Sequence, residues 1–203
     1  MPITELLSAN ARSFGDDVCL VEASPESGDR RELTWREFDA ASNRFANVLL
    51  GRGIGKGKKV AILMTNCLEW LPIYFGILKT GALAVPMNYR YLADEIAYCV
   101  DLAEADALVF GPEFVQRVEA IVERIPRLKF CIFVGPGTPA FAENYEGLTA
   151  RASAVTPSVD ITDTDDAAIY FSSGTTGFPK AILHDHRSLM SSCETEQNHH
   201  GQT

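Results

Sequence analysis

Nine residues of this chain, Ser172-Ser173-Gly174-Thr175-Thr176-Gly177-Phe178-Pro179-Lys180, bring together four hydroxyls, two glycines and one lysine. That combination suits phosphate. Glycine lets backbone N–H groups turn toward an anion and approach it closely. Serine and threonine hydroxyls donate hydrogen bonds to phosphate oxygens. Lys180 adds a point charge on a flexible stem, able to follow a phosphate as it moves. The chemistry expected of such a loop is the handling of a nucleoside triphosphate.

A Walker A loop is excluded by spacing. That motif needs G-x-x-x-x-G-K-[ST] opening a helix. Here Gly174 and Gly177 are three apart, Pro179 precedes the lysine, and Ala181 follows it. The plain alternative is an ordinary Ser/Thr/Gly hairpin loop. Other candidates are weaker. Gly51-Arg52-Gly53-Ile54-Gly55-Lys56-Gly57-Lys58 has a dinucleotide-loop composition. It ends a helical pattern and precedes a strand, the reverse of a Rossmann fingerprint, so it reads as a solvated turn. The four histidines, His184, His186, His199 and His200, lie near Glu194 and Glu196. They show neither H-E-x-x-H nor a cysteine partner, so no metal site is assigned. Asp160, Asp163, Asp165 and Asp166 read as a solvated acidic linker rather than metal ligands. Ser172 and Ser173 lack the G-x-S-x-G elbow of a hydrolase.

The elements around the loop follow from hydrophobic period. Ala167 to Phe171 and Ala181 to Leu183 are apolar runs flanking it, so strand, loop, strand is expected. Upstream, Thr34 with Glu37 forms a capping box for a helix carrying Trp35, Phe38, Ala41, Phe45, Val48 and Leu49 at helical spacing. Val60 to Met64 is a short buried strand. Asn66 with Glu69 is expected to open the next helix, with Leu68, Leu71, Phe75 and Leu78 on one side and a kink at Pro72. Leu83 to Pro86 is a strand, Ala93 to Leu102 a helix, Ala107 to Phe110 a strand. Pro112 suits a first helical position, and Phe114, Val118, Ile121, Val122 and Ile125 form a stripe stopped by Pro126. Phe130 to Val134 is another strand. Asp185 is a plausible N-cap for a final helix through His186, Leu189 and Met190. The fold class is α/β: a largely parallel sheet flanked by helices, followed by a hairpin that carries the phosphate loop. The expected organisation is an α/β region over 1–134, a connection over 135–166 with one short helix, and the hairpin with its following helix over 167–203.

Tyr170 to Lys180 resembles the signature loop of the adenylate-forming (AMP-binding) superfamily, approximately [YF]-[TS]-S-G-[TS]-[TS]-G-x-P-K-G. The chain departs at the last position, where Ala181 replaces glycine. Leu33-Thr34-Trp35-Arg36-Glu37-Phe38 resembles the family's L-[TS]-[YW]-x-E-[LF]. Leu78-Lys79-Thr80-Gly81-Ala82-Leu83-Ala84-Val85-Pro86-Met87-Asn88 resembles its L-K-x-G-A-x-x-V-P-[LM]-[ND]. The three stretches occur in the family's order. The resemblance implies the N-terminal part of an ATP-dependent carboxylate–CoA ligase, most like an acyl-CoA synthetase or fatty-acid–CoA ligase, acting through an acyl-adenylate. It implies ATP, Mg²⁺, coenzyme A and a small carboxylic acid as the parent enzyme's ligands. It implies that Ser172, Ser173, Gly174, Thr175, Thr176, Gly177 and Lys180 bind the ATP phosphates. No catalytic residue or metal ligand is assigned within the chain, because the family's later motifs and C-terminal domain have no match here. At 203 residues the chain is expected to be a fragment and inactive alone. Two other readings stay open: an adenylation domain loading a carrier protein, and a non-catalytic truncated domain that binds nucleotide or a partner.

Composition narrows the class further. Apolar residues make up 46% and charged residues 22%, so a folded core is expected rather than disorder. The net charge of −9 argues against a nucleic-acid partner. No apolar run is long enough to span a bilayer, and the N-terminus lacks signal-peptide character. Five dispersed cysteines without a C-x-x-C pair point to reduced thiols and a cytoplasmic setting.

Overall fold

The computed structural model describes residues 1–24, 28–172 and 179–201. Helix α1 (Ile3–Ser13) leads into an antiparallel hairpin of β1 (Val18–Ser24) and β2 (Asp29–Thr34). Then α2 (Trp35–Leu50), β3 (Lys59–Leu63), α3 (Trp70–Leu78), β4 (Leu83–Pro86), α4 (Ala93–Leu102) and β5 (Ala107–Phe110) alternate. A 3₁₀ turn at Pro112–Phe114 runs into α5 (Val115–Val122), followed by β6 (Phe130–Phe133), the two-residue β7 (Glu143–Asn144) and α6 (Tyr145–Thr149). The described chain ends with β8 (Asp166–Ser172), β9 (Lys180–Asp185) and α7 (His186–His200).

The main sheet runs β7-β6-β5-β3-β4-β8-β9 among the described residues. Every neighbouring pair is parallel except β8–β9. Strands in such a sheet are covered on both faces, which is why they read as continuous apolar runs. Alternation sorts their side chains. Val60 and Ile62 of β3 join Phe45, Leu49, Ile73 and Ile77 on the α2–α3 face. Ala61 and Leu63 join Ile96, Val100, Val118 and Ile121 on the α4–α5 face.

The Thr34 box forms as expected. The Glu37 N–H donates to Thr34 Oγ1 at 3.3 Å, and the Thr34 N–H donates to Glu37 Oε2 at 2.9 Å. The start of α3 differs from its sequence reading. The helix begins at Trp70, and Glu69 is its N-cap without a side-chain cap bond. The Glu69 carboxylate is taken by Arg31 of β2, at 2.7 and 3.1 Å, and so does not reach back to Asn66. Pro72 is then the third helical residue, where no intrahelical partner for its missing N–H is required. It does not break the ladder, and no kink need follow. The stripe after Pro112 also outlasts its helix: α5 stops at Val122, while Ile125 stays buried from the following turn.

The connection after β6 is fastened by polar groups of α2. Asn43 Nδ2 donates to the Ala154 carbonyl at 3.1 Å, and Asn47 Nδ2 to those of Ser153 and Val155 at 2.8 and 2.9 Å. Arg44 donates to the Ala152 carbonyl at 2.8 Å. A segment without regular pairing thus has its backbone acceptors satisfied by side chains.

Candidate functional site

The parallel strands β3, β4, β5, β6, β7 and β8 all point their carboxyl ends the same way, and β8 leads directly into the predicted phosphate loop. Open α/β sheets bind ligands at that end. Ser172 is the last residue of β8 and Lys180 the first of β9, and they face each other as the pair that closes the described hairpin. Ser172 is half-buried and Lys180 is exposed. Ser173, Gly174, Thr175, Thr176 and Gly177 lie outside the described residues. The structure therefore brings Ser172 and Lys180 together at the mouth of the loop, at the carboxyl edge of the sheet.

The hairpin is held at its base. Asp185 caps α7, its Oδ1 accepting from the Ser188 N–H at 2.7 Å. The His186 N–H donates to the Asp165 carbonyl at 3.1 Å, and the Arg187 N–H to that of Asp163 at 2.8 Å. Within the acidic run, Asp163 and Asp165 are turn and ion-pair partners. Asp165 Oδ2 accepts from the Thr162 N–H at 2.8 Å and from Lys56 Nζ at 2.9 Å. Asp163 meets Arg187 and the N-terminal amine at 3.4 and 3.6 Å. These bonds hold the Asp163 and Asp165 carboxyls below their ordinary range. Among the described residues no three His, Cys, Asp or Glu side chains gather to hold a metal ion. His184 stands edge-on to the Tyr170 ring at 5.3 Å, and His186 is buried.

Sequence reasoning placed Tyr170 in the apolar strand and at the start of the signature stretch, and gave Tyr74 no role. In the structure their hydroxyls meet at 2.8 Å, linking α3 to β8 two residues before Ser172. Burial pushes both phenols upward, so the pair stays neutral. The detectable signal was a tyrosine on the buried face of an otherwise apolar helix, since a buried phenol needs a partner.

The cysteines are all free. Burial pushes the Cys67 and Cys131 thiols to about 11 and Cys99 to about 12, which removes thiolate at neutral pH. A cavity of about 540 Å³ opens at the carboxyl ends of β3, β5 and β6, between Thr65, Glu113 and Gly135. Among the described residues, none from β8 or β9 lines it.

Solved structures place this architecture with the N-terminal domains of adenylate-forming CoA ligases. The anthranilate CoA ligase AuaEII, crystallised with anthranoyl-AMP, superimposes with a TM-score of 0.85 at 27% identity, over 92% of this chain and 35% of that one. A family model described as AMP-binding enzyme matches residues 7–203, and the chain belongs to that family. A 3-hydroxybenzoate/4-hydroxybenzoate–CoA ligase of Thauera aromatica is 33% identical over 172 residues, covering 84% of this chain and 33% of that protein. The long-chain-fatty-acid–CoA ligase FadD13 of Mycobacterium tuberculosis is 31% identical over 178 residues, covering 86% of this chain and 34% of that protein. The chain thus spans about a third of the length of the curated relatives it matches. No helix among the described residues is long and apolar enough to cross a membrane.

Proposed function

We propose that this chain is the N-terminal part of an ATP-dependent carboxylate–CoA ligase that works through an acyl-adenylate, in a cytoplasmic setting. The observation that carries this reading is the hairpin. It sets Ser172 against Lys180 at the carboxyl edge of a parallel sheet, at the two ends of a Ser/Thr/Gly sequence. In the first step a carboxylate oxygen attacks the α-phosphorus of ATP and pyrophosphate leaves. In the second the CoA thiol attacks the acyl carbon and AMP leaves. Residues 172–177 wrap the β- and γ-phosphates, and Lys180 balances the charge that builds on the departing pyrophosphate. Mg²⁺ would enter with the nucleotide, with its carboxylate ligand outside this chain. The substrate is a carboxylic acid, with a fatty acid favoured; the relatives' names include both a hydroxybenzoate and long-chain fatty acids.

Carboxylate-dependent exchange of labelled pyrophosphate into ATP, run on the full-length gene product with aromatic and fatty acids, tests the reading. Exchange with at least one acid is expected, followed by thioester formation when CoA is added. Adenylation that passes the acyl group only to a carrier protein would replace CoA as acceptor. A folded protein that binds ATP yet exchanges with no acid contradicts the reading. The 203-residue chain alone is expected to show no exchange.

A further inference from the structure

The described end of the hairpin, Ile169 to Ser172 with its β9 partners, is weakly tied to the sheet through its backbone. β4 pairs with β8 at Ala84–Ala168, and β4 ends at Pro86, which has no N–H to offer. From Ile169 to Ser172 the described ladder partners of β8 are those of β9. β9 is itself the sheet edge, with Ile182 and Leu183 exposed. Side chains must therefore fix where this described end points. On the α4–α5 face Ile169 and Phe171 pack against the core. On the α2–α3 face Tyr170 shares its side of the strand with Ser172, and its hydroxyl meets that of Tyr74 at 2.8 Å.

Tyr74 is built to hold still. It is 5% exposed, and Trp70 stacks on its ring at 5.4 Å with 13° between planes. Phe75 lies edge-on to it at 5.9 Å. On the far side, the Tyr170 ring meets His184 edge-on at 5.3 Å. Trp70, Tyr74, Tyr170 and His184 form one continuous brace from a core helix to both strands of the hairpin.

We propose that Tyr74 is a positioning residue for the phosphate hairpin, acting through the Tyr170 hydroxyl to aim Ser172 and Lys180. The proposal rests on the reading above that this hairpin carries the ATP phosphate loop. Tyr74 does not touch the phosphates. Its effect belongs to the step in which pyrophosphate is held and released, not to thiol attack on the acyl-adenylate.

Two measurements test it. In the 203-residue chain, Tyr74→Phe keeps the ring and its stack but removes the hydroxyl. Amide hydrogen exchange over residues 169–172 and 180–183 is expected to rise about fivefold, the scale of one lost hydrogen bond, with β3, β5 and β6 unchanged. Unchanged exchange in the hairpin, or a rise spread evenly over the sheet, overturns the proposal. In the full-length protein, single-turnover adenylation is expected to slow about fivefold, with thioester formation from preformed acyl-adenylate intact. Tyr170→Phe, at a half-buried site that tolerates the change, should match it, and the double variant should be no slower than either single. Additive slowing, or equal slowing of both half-reactions, overturns the proposal. Lys180→Ala in the same assay separates the two claims. If it leaves adenylation intact, the phosphate reading fails, and the brace is judged by hydrogen exchange alone.

Discussion

His186 is the first residue of α7 and is 1% exposed, with its Nδ1 unpartnered among the described residues. Burial lowers its pKa below the ordinary 6.5, against the opposing pull of Asp165 and Asp185, while Lys56 adds to the lowering. The positive end of a helix also disfavours an imidazolium. The unfolded chain takes up a proton near pH 6.5 and the folded chain does not. Stability from this group is therefore complete above that pH and falls as pH drops below it. The loss should approach about 1.4 kcal/mol per pH unit until the folded form also protonates. The Asp163, Asp165 and Asp185 carboxyls are shifted downward, so their losses come below their ordinary 3.8 and do not overlap this window. Denaturant melts at pH 7.5 and 5.5 should show the drop in wild type and a smaller one in His186→Gln. Equal slopes for the two proteins would show that His186 is not the titrating group. The candidate phosphate loop from Ser172 to Lys180 could be read from the sequence because such a loop is written in consecutive residues. Tyr74 was not, because its partner lies 96 positions away and only the packing of α3 on β8 joins them.

At the scale of elements, α2 packs closely on α3. A Cβ placed on Gly76 would stand 2.9 Å from Phe45 Cδ1 and 3.0 Å from the Ser42 carbonyl oxygen. The ring can turn; the carbonyl moves only with its helix. Gly76→Ala gains helix propensity, but the forced separation of two packed helices outweighs it. A net loss of about 1–3 kcal/mol is expected in equilibrium unfolding. A neutral or stabilising result would mean the joint has slack. Local elements were well marked in the sequence. Ala93–Leu102 and Ala107–Phe110 fall where the hydrophobic period puts them, because that signal is made by near neighbours. The misread start of α3 has the opposite cause. Asn66 and Glu69 have capping-box types, yet Arg31 from a strand 38 positions earlier holds the Glu69 carboxylate. A tertiary ion pair overrode a local rule. The fastening of the connection by Asn43, Arg44 and Asn47 was hidden for the same reason.

At the scale of the molecule, the β-α-β rhythm announced a parallel sheet with helices on both faces, but not its order. Starting at β3, the chain places β4 on one side, then β5, β6 and β7 on the other, and returns to add β8 and β9 beyond β4. Which edge receives the hairpin depends on those crossovers, and no residue encodes them alone. The result places Ser172 and Lys180, the two ends of the proposed phosphate loop, on a hairpin whose outer strand is exposed. The central claim is that this hairpin holds the pyrophosphate portion of ATP. Lys180→Ala in the full-length protein tests it most directly, with each half-reaction followed in a single turnover. Lys180 is exposed, so the fold should survive the change. Loss of one charge-assisted contact to the leaving group should cost on the order of 2–4 kcal/mol in the transition state. Adenylation should therefore slow roughly 30- to 1,000-fold, while thioester formation from preformed acyl-adenylate keeps its rate, because pyrophosphate has already left. Equal slowing of both half-reactions, or no slowing of either, would contradict the account.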